Sequence, residues 1–145
     1  MMHSHFSHPS SSAIRPFTGK GKVQIASQGE AILVRVNLAT TQTRKLKAEI
    51  RHFLRKEAAF VRPHFGPFHV HMWTSEYRRK SHLDVDNVAK ACLDALNGIV
   101  WRDDRQVMQL TSEKFAGERA VIAILARPLA QEPAPIALDE SLFGR

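Results

Sequence analysis

Residues 83–98 have the sequence LDVDNVAKACLDALNG, which combines an amphipathic helix with two aspartates at its start. Apolar residues recur at intervals of three and four from Val88 onward, so they share one side of a helix running from about Asn87 to Leu96. Asp84 or Asp86 is suited to cap the start of this helix. The stretch therefore predicts a helix that packs its apolar side on a core and presents carboxylates at its N-terminus.

The segments around this helix predict strands and one further helix. Residues 68–77 (FHVHMWTSEY) alternate in character before it, and residues 105–115 and 120–129 are strand-like after it. Closer to the N-terminus, residues 22–36 predict two short strands joined by a turn. Residues 42–56 predict a second amphipathic helix. We therefore expect an α+β fold, a small mixed β-sheet packed with two main helices.

The chain has 145 residues, which is typical of a single domain with its own core. We expect that domain to span residues 20–130. Residues 1–19 are rich in Ser, His, Pro and Gly and predict a flexible arm. Residues 131–145 are rich in Pro, Ala and Glu and predict a loosely attached tail.

Positive charge is concentrated in the first part of the chain. Residues 1–83 hold 14 Lys and Arg against 4 Asp and Glu, whereas residues 84–145 hold 7 against 10. The net charge of +7 and this clustering favour a polyanionic partner, most simply nucleic acid. The single cysteine, Cys92, excludes an intrachain disulfide and fits a cytoplasmic location. No apolar run approaches the roughly 18 residues of a membrane span, so no membrane contact is expected.

The acidic residues have two interpretations. One aspartate at a helix start is explained by capping, but two separated by one residue repel each other unless a cation lies between them. If residues 84–86 are extended, Asp84 and Asp86 point to the same side. A strand-like return along the helix would bring Asp103 or Asp104, of the sequence WRDD, beside them. Hard oxygen ligands of this kind favour Mg²⁺, Mn²⁺ or Ca²⁺, and Lys90 lies one turn along the same helix.

Other metal motifs are excluded or disfavoured. A calcium-binding EF-hand loop starting at Asp84 needs glycine and glutamate where this chain has Ala89 and Ala95. His69 and His71 form a His-x-His pair on a predicted strand, but no further ligand follows at a suitable spacing. We interpret them as ordinary sheet residues.

The motif over residues 78–115 resembles the signature of the RusA family of Holliday junction resolvases. That family pattern is D-x-D-N-x-x-K, then a D-A-L-x-G segment and D-D-x-Q-V. In this chain Lys114 follows further on. It is matched at Asp84, Asp86, Asn87, Lys90, Asp94, Ala95, Leu96, Gly98, Asp103, Asp104, Gln106 and Val107. The resemblance implies a homodimeric endodeoxyribonuclease of bacterial, phage or prophage origin that nicks four-way DNA junctions symmetrically.

The resemblance also implies roles for individual residues. Asp84, Asp86 and Asp104 correspond to carboxylates that hold one or two Mg²⁺ ions, with Mn²⁺ as a substitute. Lys90 corresponds to the catalytic lysine, and Asp103 is an assisting carboxylate. Products would be nicks with 5′-phosphate and 3′-hydroxyl ends.

The predicted DNA contacts are basic side chains in three parts of the chain. These candidates are Lys47, Arg51 and Arg55 on the first helix, Arg78, Arg79 and Lys80 in the loop before the second, and Lys114. Two alternatives stand beside junction cleavage: a nuclease of the same fold acting on forks or flaps, and a non-catalytic basic DNA-binding module. The tail segment Asp139–Phe143 (DESLF) resembles peptides that dock onto the bacterial sliding clamp, whereas packing of its apolar end on its own domain or dimer mate is favoured.

Overall fold

The computed structural model describes residues 14–19, 21–37, 42–77 and 83–134. Its elements follow one another as β1 (Ile14–Thr18), β2 (Val23–Gln28), β3 (Ala31–Val36), α1 (Thr43–Glu57), β4 (Phe68–Tyr77), α2 (Val85–Ala95), β5 (Val107–Gly117) and β6 (Val121–Pro128). A short 3₁₀ helix, Asp104–Gln106, precedes β5. In this part of the chain, no helix is long and apolar enough to cross a membrane.

The six strands form one mixed sheet in the order β1-β2-β3-β6-β4-β5. Neighbouring strands are antiparallel except β4 and β5, which run parallel and are joined through α2. This arrangement confirms the predicted single-domain α+β fold with a mixed sheet and two helices. The edge position of β5 is a feature that the hydrophobic pattern does not reveal.

The core lies between one face of the sheet and the two helices. Alternate residues of β2, β3, β4 and β6 are buried on that face, in agreement with the period of two in the sequence. The helices contribute Leu46, Ile50 and Leu54 from α1, and Val88, Ala91, Cys92 and Ala95 from α2. Residues on the opposite face of the central strands, such as Trp73 and Leu125, are half-buried.

The predicted element ends differ from the observed ones at β1 and at the start of α2. Residues 14–18, which the sequence places in the flexible arm, form β1 on the edge of the sheet beside β2. Helix α2 starts at Val85, two residues before the predicted start, and its predicted end is matched by Gly98, which has a φ of 77°. Residues 131–134 of the predicted tail are exposed.

Candidate active site

Asp84 occupies the N-cap position of α2 in an extended conformation, but its side chain makes no capping hydrogen bond. Its Oδ2 atom instead accepts a hydrogen bond of 3.1 Å from the Asn87 side-chain amide. Asp84 is exposed. The capping explanation for this aspartate therefore does not hold, and one of its oxygens faces a second polar side chain at the helix start.

Three charged residues of α2 lie on one side of the helix. Asp86, Lys90 and Asp94 are spaced four residues apart, so each lies about one turn above the last. Asp86 and Lys90 are exposed and Asp94 is half-buried. Because Val85 already belongs to the helix, Asp86 is a first-turn residue and does not continue an extended segment with Asp84.

Strand β5 runs back along α2 in the opposite direction. The Ser112 hydroxyl lies 3.5 Å from the Val85 carbonyl oxygen, and Lys114 Nζ donates a hydrogen bond of 2.7 Å to the Leu83 carbonyl oxygen. These contacts join the middle and the later part of β5 to the N-terminus of α2. The predicted strand-like return along the helix is therefore present.

The return does not bring the WRDD aspartates to the start of the helix. Asp104 lies close enough to Asp94 on α2 for the Asp94 carboxyl group to help raise the pKa of Asp104. Asp94 is eight residues beyond Asp86, which corresponds to about 12 Å along the helix axis. The expected meeting of Asp103 or Asp104 with the helix N-terminus is therefore not observed, because the strand begins beside the C-terminal half of α2 and only its later residues reach the start.

Asp103 and Asp104 differ in their surroundings. The side chain of Asp103 accepts hydrogen bonds from the backbone and side chain of Arg105 and caps the 3₁₀ helix. The backbone bond from Arg105 is the main reason that the pKa of Asp103 is lowered. The pKa of Asp104 is raised, first by desolvation and then by the neighbouring Asp103 and Asp94 carboxyl groups. Desolvation and neighbouring acids both disfavour the ionised form of Asp104, and a bound cation would stabilise that form.

The loop that carries these aspartates is held by Gln106. Its Oε1 accepts from the backbone N–H groups of Arg102 and Asp103 at 2.9 and 3.1 Å. Its Nε2 donates to the carbonyl oxygens of His64 and Gly66 at 2.7 and 2.8 Å. One side chain thus uses both ends of its amide to connect the aspartate loop to the segment before β4.

Sequence reasoning matched Asp94 and Gln106 to the motif without giving either a role, and it did not single out Glu76. The available signal for Asp94 was its spacing of eight residues from Asp86. Glu76 gives no comparable signal, because its importance depends on burial and on partners distant in sequence.

The carboxylates of this site suit a divalent cation chemically, but they lie far apart in this structure. Asp84, Asp86, Asp94 and Asp104 supply hard carboxylate oxygens, the ligands that Mg²⁺ and Mn²⁺ prefer. Within residues 14–19, 21–37, 42–77 and 83–134, no three His, Cys, Asp or Glu side chains are grouped closely enough to hold a metal ion. The chemistry of these residues therefore fits the ion better than their separation in this structure does.

The predicted DNA contacts fall into two groups in the structure. Lys47 and Arg55 are exposed on α1, as a DNA-facing surface requires. Arg51 is directed inward, because its Nη1 donates to the carbonyl oxygens of Asp94 and Asn97 at 3.2 and 3.0 Å. The three residues predicted to form one basic stripe keep their four-residue spacing along α1, but the Arg51 guanidinium already binds carbonyl groups at the end of α2.

The other proposed contacts include Lys114, which has the internal partner Leu83. Arg78, Arg79, Lys80 and the segment Asp139–Phe143 lie outside the described residues.

We expect Arg51→Met to lower the free energy of unfolding by about 1–3 kcal/mol, because it removes a charged donor from the last carbonyl groups of α2. Lys47→Met is a matched control on the same helix, and we expect it to change stability by less than about 0.5 kcal/mol. Urea denaturation followed by circular dichroism measures both. Equal, small effects would contradict a structural role for Arg51.

Two remaining reactive side chains, the Cys92 thiol and the His71 imidazole, are in surroundings that indicate structural roles. Burial raises the pKa of the Cys92 thiol to about 12, so this cysteine is a poor nucleophile. His71 Nε2 lies 2.7 Å from the Glu113 carboxylate, and its ring stacks on Trp73 with 3.9 Å between centroids. These contacts agree with the interpretation of His71 as a sheet residue.

Comparison with known proteins gives a family and one relative. The family model described as Endodeoxyribonuclease RusA matches residues 18–125, which is most of the chain. Uncharacterized protein YqaN of Bacillus subtilis (strain 168) is 41% identical over 44 residues. That alignment covers 30% of this chain and 31% of the relative, so it spans just under a third of the relative's length.

Proposed function

Because the chain belongs to the family described as Endodeoxyribonuclease RusA, we propose that it is an endodeoxyribonuclease that resolves Holliday junctions by paired symmetric nicks in DNA recombination and repair. The observation that carries this proposal is the exposed Asp84 carboxylate, which stands at the N-cap of α2 without capping it. Asp86 and Lys90 follow it on the same helix. An acid pair beside an exposed lysine is suited to act on a phosphodiester.

We propose that Asp84, Asp86 and Asp104 hold Mg²⁺, with Mn²⁺ as a substitute, which requires these carboxylates to come closer together than they are in this structure. Such an ion, when bound, polarises the scissile phosphate and makes a water molecule more nucleophilic. The pKa of Asp104 is raised by desolvation and then by the Asp103 and Asp94 carboxyl groups; this supports its inclusion, since a cation would offset the repulsion from these neighbours. Asp103 is a weaker candidate because Arg105 already occupies its carboxylate.

Lys90 would neutralise negative charge that develops on the phosphate. It lies between Asp86 and Asp94 along α2 and is exposed, so DNA can approach it. A positioned cation acts on the transition state more strongly than on the substrate, because charge on the phosphate oxygens is redistributed during cleavage. Lys90 is therefore assigned to catalysis, and Asp84, Asp86 and Asp104 to the ion.

DNA binding would depend on exposed basic groups outside this site. Lys47 and Arg55 on α1 are the described candidates, and the loop residues Arg78, Arg79 and Lys80 complete the proposal. Contacts to several phosphates release counterions, so the affinity for DNA should fall steeply as salt concentration rises. An affinity that is insensitive to salt would contradict this part of the proposal.

A second copy of the chain is proposed to complete the enzyme, since two nicks related by a twofold axis call for a twofold dimer. The exposed apolar residues of the edge strand β5 support a dimer. Leu110 pairs with Val70, which is buried on the helix-covered face of the sheet, yet Leu110 is 46% exposed and the nearby Met108 is 44% exposed. We propose that this β5 patch, Met108 and Leu110, contacts the partner.

We expect Leu110→Glu to weaken the dimer by about 100-fold, because it would bury an unpaired carboxylate in the interface. The exposed position of Leu110 means that the monomer should still fold. Phe115→Glu is the control, since Phe115 is similarly exposed on the opposite face of the same strand. Sedimentation velocity measures the effect, and a wild-type protein that is monomeric at tens of micromolar would contradict the proposal.

A cleavage assay tests the function itself. Labelled four-way junction, replication fork, flap and linear duplex are incubated with the protein in Mg²⁺ or in EDTA. We expect paired nicks in the junction, with 5′-phosphate ends, only when Mg²⁺ is present. If the fork or flap is cut in preference to the junction, the proposed substrate becomes that branched DNA and junction resolution is rejected. Cleavage in EDTA would contradict the metal requirement.

A further inference from the structure

Leu83, the residue before Asp84, is held by hydrogen bonds at both its backbone N–H and its carbonyl oxygen. The Leu83 N–H donates a hydrogen bond of 3.0 Å to Glu76 Oε1, and the Leu83 carbonyl oxygen accepts one of 2.7 Å from Lys114 Nζ. Lys114 Nζ also lies 3.8 Å from Glu76 Oε1. We call this arrangement of Glu76, Leu83 and Lys114 the Leu83 anchor.

Burial makes the anchor a stable feature. Glu76 is only 5% exposed, and a buried carboxylate is costly unless it has a hydrogen-bond donor and a nearby cation. Leu83 supplies the donor and Lys114 supplies the cation. The Leu83 side chain is itself buried in the core at 2% exposure, so the residue is held by its backbone and its side chain together.

The anchor lies where it can orient the proposed metal ligands. Leu83 is joined directly to Asp84, and the first helical bond of α2 runs from Val88 N–H to the Asp84 carbonyl oxygen. Fixing both polar groups of Leu83 therefore fixes the direction in which the chain enters Asp84 and the helix. Strand β5 adds a second contact nearby, between Ser112 and Val85.

We propose that Lys114 and Glu76 are positioning residues that act through Leu83 to set the orientation of Asp84 for binding a divalent cation. This inference rests on the proposed function. It gives Lys114 an internal role in place of a phosphate contact, because its ammonium group is already engaged by a carbonyl oxygen and a buried carboxylate. It also gives Glu76 a role in the site without contact to substrate.

The test compares Lys114→Met with Lys114→Arg and with Lys47→Met. Titration calorimetry with Mn²⁺ in the absence of DNA measures ion binding, and junction binding in EDTA at several salt concentrations measures DNA contact. We expect Lys114→Met to weaken Mn²⁺ binding about tenfold, as loss of a residue that orients a metal ligand commonly does, while leaving junction affinity within about twofold. Lys114→Arg should restore Mn²⁺ affinity to within about threefold of the wild type, since it keeps the charge and the donors.

Lys47→Met should behave in the opposite way. We expect it to weaken junction binding, to reduce by about one the slope of log affinity for the junction against log salt concentration, and to leave Mn²⁺ affinity unchanged. In cleavage assays, Lys114→Met should lower kcat and raise the Mn²⁺ concentration needed for half-maximal rate, with KM for the junction unchanged. Thermal unfolding establishes that each variant is folded.

Glu76→Gln provides an independent variant if Lys114→Met does not fold. Its amide oxygen can still accept from the Leu83 N–H, while Lys114 loses its counter-charge, so we expect Mn²⁺ binding to weaken at least about threefold. If the wild type cuts junctions and binds Mn²⁺ while the anchor variants bind Mn²⁺ equally well, the inference fails and the proposed function stands. A wild type that binds no Mn²⁺ and does not cut overturns both.

Discussion

Asp86→Asn is expected to abolish junction cleavage in Mg²⁺, lowering the rate by at least about 10³-fold, or roughly 4 kcal/mol of transition-state stabilisation. The substitution keeps the size and polarity of the side chain but removes the charge that would hold the ion. Asp86 is exposed in the first turn of α2, so the fold does not depend on it. Binding of the junction should be unchanged or slightly tighter, because one negative charge near the phosphates is lost.

Single-turnover cleavage of a labelled four-way junction in Mg²⁺ measures the rate, and gel-shift titration in EDTA measures binding. Glu118→Gln is a matched control, since it makes the same change of charge at an exposed residue in the turn after β5. We expect the control to cleave within about twofold of the wild type. A rate above about one tenth of wild type for Asp86→Asn would contradict the assignment of this carboxylate to the ion.

Trp101→Ala is expected to lower the free energy of unfolding by about 3–5 kcal/mol, a large part of the roughly 5–15 kcal/mol that stabilises a domain. Trp101 is fully buried, and its ring meets Phe68 edge-on with 5.2 Å between centroids. Its Nε1 donates a hydrogen bond of 2.7 Å to the Asn97 side chain. Truncation would leave a cavity and an unpaired acceptor immediately before the aspartate loop.

Urea denaturation at one fixed protein concentration, followed by far-ultraviolet circular dichroism, measures the loss. Trp73→Phe is the control, because Trp73 is half-buried on the open face of the sheet and phenylalanine preserves a ring beside His71. We expect the control to cost less than about 1 kcal/mol. A loss below about 1 kcal/mol for Trp101→Ala would contradict its role as a central core residue.

Regular elements could be predicted closely because their hydrophobic periods are local. Strand β4 occupies the predicted residues 68–77, and α1 differs from its predicted range by one residue at each end. Strand β5 is displaced by two residues, since a half-exposed edge strand has little apolar alternation to mark its ends. The order of strands follows from pairing between distant segments, which single-residue periodicity does not encode.

The sequence by itself determined the α+β architecture, the family motif and the residues that are candidates for the ion and for catalysis. Those candidates stay predictions, and Asp86→Asn tests one of them directly. Only the tertiary structure decided their neighbours: Asp104 beside Asp94, Arg51 at the end of α2, and Lys114 at the backbone of Leu83. The physical reason is that helix and strand periods depend on residues a few positions apart. The direction of a charged side chain depends on carbonyl groups and carboxylates that the fold brings to it from elsewhere in the chain, up to 46 residues away for Arg51.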